Sequence, residues 1–235
     1  GGNPCPETRL QESSEDFTRR KEKNWATSAV RAFLVRFIWI LGIHMTDLLE
    51  NDYSGVSHVV FDAYGTLLTP SKLNLISILK QAKNYSKEQL ISLLEKSDLQ
   101  QFLSKELQEK INLDIQKISP YPEAVSVLEK LKWKGYHLSI DSNLIKPYAE
   151  PIKKHFISYI DEFIFSFEKD YRKGQSEHYQ ELISYLKIPP ESILFIGNSY
   201  VNDYLGPKQS WINALHLQRD KFPKWESLST LTELL

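Results

Sequence analysis

The chain has 235 residues, 41% of them hydrophobic and 25% charged, with a formal net charge of -1. That length buries one sizeable core with room for a small appended subdomain, and the near-neutral balance offers no bulk attraction to a phosphate backbone, which argues against nucleic acid as a partner. Cys5 is the only cysteine, excluding an internal disulfide framework and a thiolate-rich metal site and suiting a cytoplasmic location.

The first 44 residues differ from the rest. They open polar and aperiodic, then turn into "AVRAFLVRFIWILGI", an apolar run interrupted by Arg31 and Arg36. A spanning helix needs about 20 apolar residues, so this run is too short and too charged to cross a bilayer. No small-residue cleavage site follows it, so it is not read as a signal peptide. Residues 1–44 are therefore expected to be an atypical leader: a tag, a read-through segment ahead of Met45, or an amphipathic segment. No membrane partner is expected unless that leader is native.

From Val56 the pattern alternates strands and helices. "VSHVVFDA" reads as a strand. "KLNLISILKQA", "SKEQLISLLEKS" and "LQQFLSKELQEKI" read as three consecutive helices. "EAVSVLEKLKWKG" is a helix closed by Gly135, and "YHLSID" the strand after it. A helix around "YAEPIKKHFISYI", strand "EFIFSF", helix "SEHYQELISYLK", strand "SILFIG", a short helix near "DYLGPKQS" and strand "INALHL" complete the order. Apolar strands separated by helices predict an α/β fold, a Rossmann-like parallel sheet with helices on both faces. Ligands of such sheets gather at the carboxyl ends of strands, near a switch in strand order. None of the six histidines falls in an HExxH pair or a comparable ligand spacing.

Four short motifs end at that expected edge. "VVFDAYGTLLTP" delivers Asp62, with Thr66 placed to fix its loop by a side-chain hydrogen bond. "LSIDSN" delivers Ser142 and Asn143, "DYRKGQ" carries Lys173, and "ILFIGNSYVND" delivers Asn198 and Asp203. Each has an ordinary explanation as a turn, a cap or a surface loop. Together and in this order, from about Val56 to the C-terminus, they resemble the haloacid dehalogenase-like hydrolase superfamily.

The resemblance implies a core of residues 45–70 and 119–235 and a short helical cap over 71–118, inserted after the first strand. It implies Asp62 as a nucleophile that forms a covalent ester, Lys173 as its charge partner, Thr66 as a loop anchor, and Ser142 and Asn143 as substrate-binding groups. The chemistry is coherent, because attack by a carboxylate concentrates negative charge that an ammonium offsets. The substrate class would be a small molecule of phosphate-ester or haloacid type.

Four departures qualify the resemblance. Phosphatases of the superfamily carry an Asp general acid two residues after the nucleophile, where this chain has Tyr64. They also carry an Asp after the glycine of the last motif, where it has Asn198. The metal set implied on the phosphatase side is Asp62, the backbone oxygen of Tyr64, Asn198 and Asp203, which should hold Mg²⁺ weakly. "DAYGTL" is similar to the first motif of the 2-haloacid dehalogenases, which implies no metal. Dehalogenases, however, bind the substrate carboxylate with a cap arginine, and no arginine lies between Arg36 and Arg172. The family also usually has proline after the motif lysine, where this chain has Gly174, so a looser loop is expected. The alternative to a hydrolase is a catalytically impaired relative acting as a binding or interaction scaffold. Asp141, one residue before Ser142, is expected on the opposite face of its strand in a structural role, as a cap or paired with a lysine. Oligomeric state is not readable.

Overall fold

The structure is a computed structural model that describes residues 53–73, 104–219 and 227–235. The expected leader and the first two expected cap helices lie outside the described residues, as does nearly all of the segment between 71 and 104.

Six strands form one sheet: β1 (His58–Phe61), β2 (His137–Ser142), β3 (Glu162–Phe165), β4 (Ile193–Gly197), β5 (Asn213–Leu217) and β6 (Ser227–Leu228). Their order is β3-β2-β1-β4-β5-β6, and every pair is parallel. The chain builds outward from β1 to β3 on one side, then returns to the other side of β1 for β4 to β6. The switch in strand order therefore lies beside β1, where open sheets of this kind place a ligand.

Helices α1 (Lys105–Ile115), α2 (Ala124–Trp133), α3 (Ala149–Phe156) and α4 (Ser176–Leu186) cover the sheet, with a π-helical turn Tyr200–Leu205 running into the short α5 (Gly206–Gln209). Strand alternation divides the core in two. Val59, Phe61, Leu138, Ile140, Leu194 and Ile196 point to one face and pack with Leu107 and Ile111 of α1, Leu128 of α2 and Ile152 of α3. Val60, Ile164, Phe195 and Ala214 point to the other, against Tyr179 and Leu182 of α4. The strands are largely apolar on both faces because both are covered, β2 excepted, which buries Ser139 and Asp141 on the α4 side. No helix among the described residues is long and apolar enough to cross a membrane.

Two elements depart from the expected reading. The helix over "LQQFLSKELQEKI" begins only at Lys105 in its described part, because Ser104 is extended (ψ 152°) and its hydroxyl accepts from the Leu107 N–H. Serine competes for backbone donors and so caps helices better than it continues them. The helix then runs on to Ile115, beyond the expected end at Ile111. β6 is not foreseen at all, since two residues carry no period.

Candidate active site

Asp62 directly follows β1, and its N–H donates to the Ile196 carbonyl of β4 at 2.8 Å. The chain then folds back tightly. The Ala63 carbonyl accepts from the N–H groups of Thr66, Leu67 and Leu68 at 3.3, 2.8 and 2.9 Å, and Gly65 takes a φ of 85° that suits glycine. This turn returns the Thr66 hydroxyl to Asp62, where it donates to Oδ2 at 3.0 Å.

The other oxygen of Asp62 meets Lys173. Its Nζ donates to Asp62 Oδ1 at 2.7 Å and to Asp203 Oδ1 at 2.8 Å, and all three residues are buried. Asp203 is held in turn by the Ser199 N–H, which donates to its Oδ2 at 2.8 Å. Its carboxyl lies over Gly197, where an added Cβ would stand 2.4 Å from Cγ, so only glycine admits this approach. The end of β1 and the π-helical turn after β4 thus supply two carboxylates, and the loop before α4 brings the ammonium between them.

Burial raises the pKa of Asp62; Lys173 pulls against this, Asp203 adds to it, and the carboxyl settles at about 6. Burial also works against the charge on Lys173, but Asp203, Asp62 and Asp141 outweigh it and raise its pKa above the usual lysine value. The ammonium therefore stays protonated across the range in which Asp62 titrates.

The loop that carries Lys173 is fastened from two sides. Asn143, just past β2, donates from Nδ2 to the Lys173 carbonyl and accepts the Lys173 N–H on Oδ1, both at 3.0 Å. Its amide is thereby committed to the lysine's backbone. Gly174 has a φ of 99°, and its N–H donates to the Tyr179 hydroxyl at 3.0 Å, which itself donates to the Asn202 carbonyl at 2.5 Å. Proline could supply neither that φ nor that N–H. The glycine therefore marks an anchored loop where a looser one was expected.

Ser142 ends β2 and is buried, and its hydroxyl has no hydrogen-bond partner among the described residues. Tyr64 turns away from the carboxylates: its hydroxyl donates to the Tyr148 carbonyl at 2.7 Å, and its ring meets Tyr148 edge-on at 5.8 Å. Burial, then Tyr148, Asp114 and Asp62, raise its pKa well above the ordinary phenol value. Asp141 takes the α4 side of the sheet, where His178 Nε2 stands 2.6 Å from its Oδ2. Its hydrogen-bond partner is a buried histidine where a lysine was expected, while its charge still acts on Lys173.

Arg219 is a site neighbour that the sequence did not disclose. It follows β5 and donates to the Thr66 carbonyl at 2.5 Å and the Gly65 carbonyl at 3.4 Å, while its other arm pairs with Glu123 at 2.5 Å. The guanidinium also lies 3.5 Å over the Tyr121 ring. It pins the outside of the turn that carries Thr66. A lone arginine after the last long strand belongs to no motif, so no pattern could have flagged it.

The donors do not fit a tightly held Mg²⁺. Each oxygen of Asp62 already accepts one hydrogen bond, from Lys173 or Thr66, and each of Asp203 one from Lys173 or the Ser199 N–H, so a cation would compete with the buried ammonium for both carboxylates. Asn198, exposed and packed against Gly65, adds an amide where a hard cation favours a charged oxygen. No group of three or more His, Cys, Asp or Glu suited to a metal occurs among the described residues. Titration calorimetry with Mg²⁺ is expected to give weak or undetectable binding, and Asn198→Asp to strengthen it; tight stoichiometric binding by the unaltered protein would contradict this.

Residues 59–216, from β1 to β5, match the family described as haloacid dehalogenase-like hydrolase. A glyceraldehyde 3-phosphate phosphatase of Methanothermobacter thermautotrophicus is 28% identical over 106 residues, 44% of this chain; the match spans 47% of that relative, less than half its length. Among solved structures, a HAD phosphatase from Thermococcus onnurineus superposes with a TM-score of 0.58 at 23% identity, covering 76% of this chain and 96% of the other. The L-2-haloacid dehalogenase of Xanthobacter autotrophicus, with chloropropionic acid covalently bound, gives 0.51 at 16% identity over 71% of this chain and 79% of its own. These two likenesses speak for the fold, and the family match spans two thirds of the sequence: the chain belongs to the haloacid dehalogenase-like hydrolases.

Proposed function

We propose that the protein hydrolyses a small molecule of phosphate-ester or haloacid type through a covalent ester on Asp62. The observation that carries this reading is the buried Lys173 ammonium bridging Asp62 and Asp203 at the switch point of the sheet. A charged lysine is costly to bury, and this one lies where a carboxylate nucleophile needs a counter-charge as negative charge develops on the substrate.

In this reading Asp62 attacks through a carboxylate whose two oxygens are oriented separately, Oδ2 by Thr66 and Oδ1 by Lys173. The free Ser142 hydroxyl donates to a substrate oxygen. Asn143 acts by positioning Lys173, a smaller part than the substrate contact its motif suggests. The segment 71–118 serves as the cap over the site and 1–44 as a dispensable leader, with the core in 45–70 and 119–235. The "DAYGTL" passage favours dehalogenase-like chemistry and the curated relative favours phosphate esters. A single cysteine and near-zero net charge suit a cytoplasmic enzyme of small substrates. One observation favours the impaired scaffold as second reading: the Tyr64 hydroxyl is spent on the Tyr148 carbonyl, leaving the usual general-acid position without a proton to give.

A screen of aryl phosphates and short haloacids with and without Mg²⁺ separates the readings. Turnover lost in Asp62→Asn supports the hydrolase, and no turnover of any compound supports the scaffold. The pH profile is a further check. The nucleophile must be ionised, so the rate is expected to rise with pH to a plateau above about 6, following the carboxyl of Asp62 while Lys173 stays charged. A rate that falls as pH rises through that value would contradict the assignment.

A further inference from the structure

We infer that the site acts on substrates whose leaving group departs as a stable anion, such as an acyl phosphate, a phosphate ester of an acidic phenol, or a 2-haloacid. This rests on the covalent hydrolase reading and narrows its substrate class. A phosphate ester of an ordinary alcohol needs a proton delivered to its departing oxygen, because an alkoxide is a poor leaving group. Four proton-bearing side chains of the described site bear on this: Tyr64, Lys173, Thr66 and Ser142. The Tyr64 hydroxyl points its hydrogen at the Tyr148 carbonyl 2.7 Å away. The Lys173 ammonium directs two hydrogens at Asp62 and Asp203, and its proton is held by those carboxylates. The Thr66 hydroxyl donates to Asp62 itself. Ser142 is left, and a serine hydroxyl is far too weak an acid to protonate a leaving alkoxide; it can only hydrogen-bond.

A substrate that needs no proton removes the difficulty. With an acyl phosphate, an oxygen of Asp62 forms the new bond to phosphorus. The bond from phosphorus to the carboxylic oxygen breaks, and its electron pair leaves with the carboxylate. Water then adds its oxygen to phosphorus, the bond to Asp62 breaks, and phosphate and one proton are released. With a 2-haloacid, Asp62 bonds to carbon 2 and the halide leaves with its electron pair. Water then adds its oxygen to the Asp62 carboxyl carbon, and the bond from that carbon to the ester oxygen breaks. That oxygen takes a proton from the water to leave as the hydroxyl of a 2-hydroxy acid, and the second proton is released as the Asp62 carboxylate re-forms. Neither first step draws a proton from the protein, so both phosphate-type and halide-type chemistry satisfy the same site.

The test is a leaving-group series on the full chain: acetyl phosphate, 2,4-dinitrophenyl phosphate, phenyl phosphate, glycerol phosphate and 2-chloropropionate, each with Asp62→Asn as the background control. Asp62-dependent turnover is expected to fall steadily as the leaving group becomes more basic. Glycerol phosphate should be slower than acetyl phosphate by at least about 100-fold, the lower end of what a general acid contributes. Glycerol phosphate turned over within about tenfold of the activated esters in an Asp62-dependent way would overturn this inference and leave the hydrolase reading intact. Turnover of none of the five would overturn both.

Discussion

Asp62→Asn is expected to abolish hydrolysis, by several orders of magnitude in kcat, while leaving the fold intact. An amide keeps the shape, and its one oxygen can still accept from Lys173 with the NH2 turned toward Thr66, but it cannot form the ester. The fold should tolerate the change, since Asp203 still neutralises Lys173 and one buried charge is lost. Thermal unfolding is expected within about 2–4 °C of the unaltered protein, the shift that roughly 1 kcal/mol produces in a domain of this size. Full activity in the variant would remove Asp62 from the nucleophile's role.

Lys173→Met is expected to be damaging on two counts. Activity should fall by about 10²–10³-fold or more, the scale on which loss of one preorganised charge acts on a developing anion. Stability should fall as well. Lys173, Asp62 and Asp203 are each under a tenth exposed, and removing the ammonium leaves two carboxylates facing each other without a counter-charge. Breaking a buried ion pair from one side destabilises by about 3–5 kcal/mol. The pKa of Asp62 should rise further, because Lys173 is the main influence opposing burial there. The rate plateau of any residual activity would accordingly move to higher pH. A stable variant with an unmoved profile would show that the two groups are not coupled as the geometry requires.

The parts of this protein legible in the sequence are those governed by local rules. Runs such as "SILFIG" are apolar on both faces because the sheet is covered twice, and they became β1 to β5 close to where they were read. The meeting of Asp62, Lys173 and Asp203 was legible only through the family resemblance that the four motifs carry. Long-range choices were not legible. Gly174 read as a slackened loop because its φ and its bond to Tyr179 depend on a side chain five residues on and a carbonyl further still. Asp141 could be placed on a face by alternation, but its partner His178 is fixed only once α4 docks. Arg219 reaches the Thr66 carbonyl across 153 residues of sequence, and nothing in its neighbours announces that reach. Ser104 was legible in principle, since a serine ahead of "KELQ" is an ordinary cap signal, yet the helical period around it concealed the break.

The covalent ester is the centre of the account, and rapid acid quench tests it most directly. The enzyme is mixed with acetyl phosphate or 2,4-dinitrophenyl phosphate, stopped within the first turnover, digested, and the peptide carrying Asp62 is weighed by mass spectrometry. The account predicts that this peptide gains the mass of one phosphoryl group, localised to Asp62 by fragmentation and absent in Asp62→Asn. Product formed while the Asp62 peptide stays unmodified, or the added mass found on another residue, would contradict it.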